Sequence, residues 1–456
     1  MSRLSFIIHN SLNRPFRDLM VSRLSFIIYH LSFRFSLASL ALVVSMTSFA
    51  QGGTVSPYSQ YAFGEQAVGG GSYNRGMNGL GYALNNGAQV NPLNPASYAS
   101  VDSLTMLFDM GLSGQITNFN ENGTKLNRRQ ASFEYIMGSF RAWKNVGVTF
   151  GLLPITNIGY EYTTSTKLTD ASKTTVETVH GGEGGLHQLF VGVGVRPIKN
   201  LAVGANFAYL WGDLERGVAT TTVNTFNALH KVYRASVSSY NVELGLQYYQ
   251  PIGKDNMLTI GAKYSLGHKL GSDPECMVIS SNSQISKADT TSMKINNGLE
   301  LPHILGAGVS YRHGAQWVIG ADVELQRWSK TEFPEYSNGK YTLQSGILNN
   351  RYRLAVGGEL CPRWNSRNFF HRIRYRVGAG YTTPYYKING QDGPREISAT
   401  IGFGIPIMNA YNNRSFLNIS AQYVNNSATG LIKENTFRIN IGLTFNEKWF
   451  AKWKVE

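Results

Sequence analysis

The sequence predicts an all-β protein: a transmembrane, 14-stranded, up-and-down antiparallel β-barrel with an N-terminal hatch inside its lumen. Two observations predict it. Strand-like runs alternate apolar and polar residues, and the links between these runs are alternately short and long. Short turns at one end and long loops at the other are typical of barrels in an outer membrane.

The alternation is clearest in the last run. Apolar residues fill one face from Phe437 to Phe445, and Arg438, Asn440 and Thr444 fall on the other. A wall with lipid outside and a polar lumen inside requires this period of two. Several outward sets begin or end in an aromatic residue, as expected at the two headgroup levels.

The links give the strand number. Six are short, at 143–145, 197–200, 251–256, 313–316, 362–367 and 409–414, and seven are long, at 118–130, 163–186, 213–235, 271–300, 330–349, 384–396 and 425–435. Thirteen links join fourteen strands. Because the first and last links are long, we expect both termini in the periplasm. A soluble β-sandwich also alternates, but it usually uses Greek-key connections.

Composition limits the function classes. The mature chain has no apolar run of about eighteen residues, so we expect no membrane-spanning helix. The net charge is +14, from 42 basic and 28 acidic residues. These charges are spread over loops and lumen, which gives nucleic-acid binding little support. Loop charge that meets solvent or acidic outer-membrane lipid is the better interpretation.

Residues 1–50 are interpreted as a signal peptide. An apolar run from Leu37 to Val44 precedes a small-x-small cleavage site, Ser48-Phe49-Ala50, so the mature chain is expected to begin at Gln51. The segment SRLSFII occurs at 2–8 and again at 22–28, and Met20 is a possible alternative start.

Residues 51–103 are predicted to form the hatch. The segment is rich in Gly, Asn, Ser and Pro but keeps apolar anchors, and Asn94 can cap a short helix that begins at Pro95. A disordered periplasmic tail is the alternative. The barrel is expected over 104–445, and 446–456 is expected to be a basic, aromatic periplasmic tail.

Four stretches resemble the FadL family of hydrophobic-compound channels. They are the hatch motif Asn94-Pro95-Ala96 and the segments 196–213, 301–329 and 350–360. The resemblance implies a fourteen-stranded barrel, an N-terminal hatch and a hydrophobic site in the lumen. It also implies lateral release of ligand through a gap at a kink in the third strand.

A kink can be sought in the sequence itself. Pro154 stands in the middle of the predicted third strand, residues 146–162, where it has no N–H for the ladder. A wall opening beside Leu153, Pro154 and Ile155 is one interpretation. A harmless bulge is the other.

Charged residues are predicted to face the lumen on neighbouring strands. We expect Asp109 beside Arg438, Glu243 beside Lys263, and both Asp322 and Glu324 near Arg353. With Arg353, three arginines at alternate positions are candidates to bind a ligand carboxylate: Arg372, Arg374 and Arg376. Alternatively, these arginines neutralise Asp322, Glu324 and Glu359 and hold the hatch.

No catalytic, metal or cofactor site is predicted. The nine histidines are scattered, and no G-x-S-x-G sequence occurs. Cys276 and Cys361 are expected at opposite ends of strands, too far apart for a disulfide.

The sequence therefore favours a passive outer-membrane channel for hydrophobic small molecules such as long-chain fatty acids, with lateral release through the wall. The alternative is a non-transporting barrel of the same family that docks protein partners in a secretion complex, as PorV-type members do, or in an outer-membrane assembly complex. Two features support this docking alternative: the tail beyond Phe445, and the lack of an obvious apolar loop helix at a ligand-entry groove.

Overall fold

The computed structural model describes residues 53–121, 123–167, 175–222, 227–282, 284, 287–407 and 415–447. The predicted signal peptide, Gln51 and residues 448–456 of the predicted tail lie outside these ranges. Elements are numbered in chain order.

The hatch contains one short strand and three short helices: η1 (Pro57–Gln60), β1 (Glu65–Gln66), α1 (Ser72–Arg75) and η2 (Pro95–Ser100). The barrel wall consists of β2 (Met106–Glu121), β3 (Thr124–Trp143), β4 (Val146–Pro154), β5 (Thr156–Lys167), β6 (Thr175–Ile198), β7 (Leu201–Thr222), β8 (Asn227–Ile252), β9 (Asn256–Ser265), β14 (Ile304–His313), β15 (Trp317–Gln326), β18 (Arg351–Leu360), β19 (Arg374–Thr382), β22 (Arg395–Ile407), β23 (Ser415–Ser427) and β24 (Lys433–Glu447). Smaller elements lie in the links: β10 (His268–Lys269), β11 (Glu275–Asn282), β12 (Lys287–Lys294), β13 (Glu300–Leu301), η3 (Trp328–Lys330), β16 (Phe333–Ser337), β17 (Lys340–Gln344), α2 (Phe369–Arg372), β20 (Lys387–Ile388) and β21 (Gln391–Asp392).

The wall is a closed antiparallel barrel of fourteen strands, as the sequence predicted. β4 and β5 are two parts of the third strand, and the first strand, β2, pairs with the last, β24, from Met106 opposite Glu447. The last strand therefore continues two residues beyond its predicted end at Phe445. Closure leaves no open sheet edge at the seam.

The predicted alternation is present in the wall. Large apolar side chains point outward and are exposed, for example Phe207 (63%), Ile319 (55%) and Val377 (59%). Inward positions are mostly buried Ser, Thr, Asn and Gln. An apolar exterior around a polar interior is the arrangement that lipid requires of a barrel. Among the described residues, no helix is long and apolar enough to cross a membrane.

One short link differs from its prediction. The sequence indicated a turn over 362–367 followed by a strand that includes Arg372. The structure has a link over 361–373 that contains α2, and the strand β19 begins only at Arg374. The predicted position of Arg372 on the lumenal face of a strand is therefore wrong, and its role as a ligand-binding residue stays a prediction. Asn368 begins the helix by accepting a hydrogen bond from the Phe370 N–H (3.0 Å), so the helix replaces the expected first turn of the strand.

One predicted charge pair is also wrong. Asp109 lies opposite Thr444, whereas Arg438 lies opposite Gln115, six residues away along β2. Six residues of strand span roughly 20 Å. Asp109 instead accepts hydrogen bonds from the Tyr135 hydroxyl and the Thr444 hydroxyl, both at 3.2 Å. The stagger between the first and last strands sets this register, and the alternation does not reveal it.

The two ends of the described chain lie at opposite ends of the barrel. Ser56 donates to Glu434 (2.6 Å), and the Tyr58 hydroxyl donates to the carbonyl of Ile432 in the last long link (2.6 Å). Glu447, in contrast, lies at the end with the short turns. The expectation that both termini lie at the short-turn end is therefore not met by the first described residues. The hatch crosses the lumen from the long-loop end before β2 begins.

Candidate functional site

The hatch motif fixes the short-turn end of the hatch to the wall. Asn94 caps η2 by accepting a hydrogen bond from the Ala96 N–H (3.0 Å), as the sequence predicted. Its amide nitrogen donates to the carbonyls of Tyr82 (2.7 Å), Leu246 (3.1 Å) and Ala262 (3.3 Å). The buried Asn94 side chain thus joins two hatch segments to β8 and β9.

The hatch backbone approaches the wall at glycines. A Cβ added at Gly204 would lie 2.4 Å from the Pro95 carbonyl carbon, and one at Gly261 would lie 1.9 Å from the Tyr82 carbonyl oxygen. An added Cβ would also meet hatch backbone at Gly147, Gly194, Gly357, Gly378 and Gly402, and hatch side chains at Gly245, Gly306 and Gly442. We call these ten residues the glycine ring. Only glycine leaves room for such close approach.

We predict that Gly204→Ala destabilises the barrel by about 1–3 kcal/mol, because the new methyl group overlaps the backbone of Pro95. Gly114→Ala is the matched control, since a Cβ there meets no atom within 4 Å. Thermal unfolding of the refolded barrels measures the effect. Equal melting temperatures for the two variants would contradict the close packing of hatch and wall.

Arg353 holds the middle of the hatch. Its guanidinium donates to the carbonyls of Asn78 (2.8 Å) and Gly79 (3.1 Å). On the neighbouring strand, Asp322 accepts from the N–H groups of Gly81 (2.6 Å) and Tyr82 (2.9 Å). Arg353 and Asp322 therefore bind the hatch backbone from two adjacent strands, as in the alternative interpretation of the lumenal charges.

Arg374 and Arg376 share one carboxylate. Arg374 contacts Glu359 at 2.5 Å and Arg376 contacts it at 2.7 Å. Arg376 also donates to Asn418 (2.7 Å), and its guanidinium carbon lies 5.0 Å from the ring centre of Tyr73 in the hatch. The contacts of these two arginines thus match their alternative role, and binding of a ligand carboxylate stays a prediction.

A cavity of about 230 Å³ lies in the lumen between the hatch and the wall. The three residues of the predicted opening line one side of it: Leu153, Pro154 and Ile155. Charged residues line other sides, among them Arg353 and the predicted pair Glu243–Lys263 (2.7 Å). Arg374 and Arg376 are not among its lining residues.

The sequence analysis missed Arg351, which also lines the cavity. Its guanidinium donates to Gln66 of the hatch (2.7 Å) and lies 3.9 Å from Glu324. The available signal was its position two residues before Arg353, on the same face of β18. Arg75 was missed as well: it forms a buried ion pair with Glu134 of β3 at 2.9 Å. No motif distinguishes this hatch arginine from a surface residue.

The wall is interrupted beside the cavity. The ladder between β3 and β4 ends at Ile136 opposite Leu152. On its other side the third strand stays in the sheet, because β4 pairs with β6 as far as Pro154 and β5 resumes this pairing at Ile158. Within the described ranges, β3 and β5 form no ladder. Both halves of the third strand therefore pair with β6, but only β4 also pairs with β3.

Residues 53–67 lie along the edge of β5 that does not pair with β6. We call this segment the strap. Gln66 lies opposite Thr156 in an antiparallel pair, and the Ala67 N–H donates to the Ile155 carbonyl (2.9 Å). Further along, the Gly159 N–H donates to the Ser59 hydroxyl (3.2 Å). The hatch thus supplies hydrogen-bond partners that β3 does not supply at these positions.

An apolar core covers the long-loop end of the lumen. Phe63 of the strap packs against Trp328 (ring centres 5.4 Å apart) and Phe333 (5.5 Å). Tyr61 stacks on Tyr386 of a long loop at 5.2 Å. We call this cluster the loop-end core; its buried members also include Ile158, Leu186, Leu210, Val237, Leu270, Leu299, Leu348 and Tyr385. The strap and the long loops therefore pack as one unit.

The strap contains a carboxyl with a perturbed pKa. Removal from water raises the pKa of Glu65, and the charge of Arg438 and a hydrogen bond from Thr54 counter this only in part. Because the folded-state pKa lies above the reference value of 4.5, the stability contribution of Glu65 is fully present below that pH. The contribution is lost as the pH rises through the folded-state pKa.

We therefore expect hydrogen-exchange protection of the strap, corrected for intrinsic rates, to fall as the pH rises above about 4.5. Glu65→Gln should remove most of this dependence, because the amide does not ionise. Exchange measured by mass spectrometry tests this, with the peptide around Asn94 as internal control. If hydrogen-exchange protection of the strap changed with pH equally in the variant and the natural protein, the pH dependence would not come from Glu65.

Among the described residues, no group of three or more His, Cys, Asp or Glu side chains could hold a metal ion. Cys276 and Cys361 are both buried and free, as expected from their positions in the fold.

The model of the BamG family matches residues 33–456, and the chain therefore belongs to the BamG family. Among curated proteins, none matches.

Solved structures with the same fold include a toluene transporter, a monoaromatic hydrocarbon channel and a FadL homologue. The toluene transporter TodX of P. putida is 14% identical, with a TM-score of 0.59, and the match covers 84% of this chain and all of TodX. The monoaromatic hydrocarbon channel CymD is 16% identical, with a TM-score of 0.55 and coverage of 83% and 98%. A FadL homologue of Pseudomonas aeruginosa is 11% identical, with a TM-score of 0.56 and coverage of 84% and 100%. At these identities the likeness shows the fold: a FadL-like outer-membrane barrel.

Proposed function

We propose that this BamG-family barrel is a passive channel for hydrophobic small molecules, which leave the lumen sideways through the interrupted wall. The observation that supports the proposal most is that, within the described residues, β3 and β5 form no ladder next to the lumenal cavity. A closed wall would offer a ligand in this cavity no lateral route. The fold shared with channels for toluene and monoaromatic hydrocarbons supports the same reading.

Lateral release suits an apolar cargo on energetic grounds. Transfer from an apolar site into water costs roughly 0.8 kcal/mol per CH₂ group, so a chain of about sixteen carbons faces a barrier above about 10 kcal/mol. Release into the hydrocarbon layer avoids this cost. The three residues that line the cavity beside the interruption are themselves apolar: Leu153, Pro154 and Ile155.

In this proposal the strap is the gate. It fills the edge of β5 through the Gln66–Thr156 pair and the Ala67–Ile155 hydrogen bond, so a ligand leaves only when these contacts open. The gate has few backbone bonds, because β1 is only two residues long. Opening at Gln66 and Ala67 therefore breaks few backbone bonds, while Phe63 stays packed in the loop-end core.

A disulfide across this pair should close the channel. Gln66→Cys with Thr156→Cys, in a background of Cys276→Ala and Cys361→Ala, joins two residues that face each other in one antiparallel ladder. We predict that oxidation lowers uptake of radiolabelled palmitate and of toluene by about tenfold or more, and that a reductant restores it. Whole cells carrying each variant provide the assay.

The control is a cysteine pair at Ile401 and Ala421, which face each other in the β22–β23 ladder. Oxidation of this pair should leave uptake unchanged. Uptake by the oxidised strap variant at the rate of this control would rule out the strap as gate. It would also leave the lateral route without support.

A second candidate is a docking role in a secretion or outer-membrane assembly complex. One structural observation favours it: buried side chains of the strap and several loops pack into the loop-end core, which a ligand entering at the long-loop end would have to displace.

Affinity purification from native membranes separates the two roles. A tagged barrel used for transport should retain fatty acids or other apolar molecules. Oxidation of the variant with Gln66→Cys and Thr156→Cys, which we call the strap lock, should slow the exchange of these molecules. A docking subunit should retain stoichiometric protein partners, and the strap lock should leave these in place. Retention of partners without any apolar molecule would favour docking.

A further inference from the structure

The link over 361–373 is the most elaborate of the short links in the described part of the chain. The others that are described join their strands by two to three residues, at 144–145, 199–200, 253–255 and 314–316. This link instead folds on itself. The Arg363 N–H donates to the His371 carbonyl (2.9 Å), and the Ser366 N–H donates to the Arg363 carbonyl (3.2 Å).

The link presents aromatic side chains to the outside. Trp364 and Phe370 are each 65% exposed and Phe369 is 43% exposed. The link is tied to the outer face of the wall, because the hydroxyl of Tyr375 donates to the Phe370 carbonyl (3.1 Å) and the next outward residue of that strand is Val377. These rings therefore lie at the level where the apolar wall ends.

The same link is basic. It contains Arg363, Arg367, His371 and Arg372 and no acidic residue. Arg363 and Arg367 are exposed, and neither takes part in any ion pair among the described residues. Exposed aromatic rings beside unneutralised cations are the composition of elements that lie in a membrane interface.

Three other short turns repeat the pattern on a smaller scale. Trp143 (73% exposed) precedes Lys144, Ile198 (61%) precedes Lys199, and Ile252 (44%) is followed by Lys254. Each turn thus places one large apolar side chain and one lysine at the same rim of the barrel. The pairing of apolar and basic residues thus recurs at three of the four other described short turns, one of which also contains Asp255, and the link over 361–373 is its largest example.

We propose that the link over 361–373 is a binding site for anionic phospholipid headgroups in the leaflet at the short-turn end. Trp364, Phe369 and Phe370 enter the headgroup boundary, and the guanidinium groups of Arg363 and Arg367 bind the lipid phosphate. Arg suits this role because its planar donors match phosphate oxygens. In barrels with this loop asymmetry the short turns face the periplasm, where the leaflet consists of phospholipid.

Position and charge favour lipid over an acidic protein as the occupant. The backbone of the link adjoins the lipid-facing side of β19, because the Phe370 carbonyl accepts from the Tyr375 hydroxyl, and the exposed rings of Phe369 and Phe370 lie on this segment. The proposal is independent of transport, because the link lies at the short-turn end and none of its residues lines the cavity.

Native mass spectrometry of the full mature barrel in detergent tests the proposal by titration with phosphatidylglycerol and phosphatidylcholine. The natural protein should prefer phosphatidylglycerol. The double variant Arg363→Gln with Arg367→Gln should lower its affinity for phosphatidylglycerol by roughly tenfold or more and leave phosphatidylcholine binding unchanged. The matched control, Arg327→Gln with Lys330→Gln, removes two exposed charges near the long-loop end and should change neither.

A salt titration on the natural protein gives a result that does not depend on folding of the variants. Phosphatidylglycerol binding should weaken between low and high salt, because ions screen the headgroup contact. Equal affinity of the double variant and the natural protein for phosphatidylglycerol would overturn the proposal, and so would equal losses for both lipids. Loss of a co-purifying acidic protein from the double variant, with lipid binding retained, would assign the link to a protein partner instead.

Discussion

The hatch approaches the glycine ring so closely that this contact determines how the lumen is filled. At ten wall positions a single Cβ would meet hatch atoms at less than about 3.2 Å, so the hatch lies in van der Waals contact with the wall over most of the circumference. This contact fixes the hatch carbonyls and N–H groups in place. Arg353 and Asp322 can then bind them, and the cavity that remains is small and defined.

The lumenal charges follow from the same packing. Burial of a charge is tolerated when the charge is paired and hydrogen-bonded. Glu359 is bound by two arginines, Glu243 is paired with Lys263, and Arg353 is bound by hatch carbonyls. These buried charges thus have protein partners, and Glu243, Lys263 and Arg353 among them line the cavity.

The interruption of the wall is possible because the hatch supplies a substitute. Backbone N–H and C=O groups cannot stay unpaired in a membrane wall. At Ile155, Thr156 and Gly159 the strap provides these bonds in place of β3. The strap is also part of the loop-end core. The segment that fills the gap in the wall is therefore the same segment that packs against the long loops.

The sequence predicted what depends on local patterns and missed what depends on register. The period of two and the link lengths gave the closed fourteen-stranded barrel, and the Asn94 cap with Pro95 gave the start of η2. Asp109 was assigned to the wrong partner because alternation does not contain the stagger of the strands. Arg372 was placed on a strand because a period of two does not reveal that a helix interrupts it. The strap was not foreseen, since its two paired residues carry no pattern.

Photoaffinity labelling with a diazirine analogue of palmitate in outer-membrane vesicles tests whether ligand leaves through the interrupted wall. Adducts are expected at residues 153–155 and at the strap, and unlabelled palmitate should compete with them. Adducts confined to outward-facing residues of other strands, insensitive to competitor, would contradict lateral release through the interrupted wall.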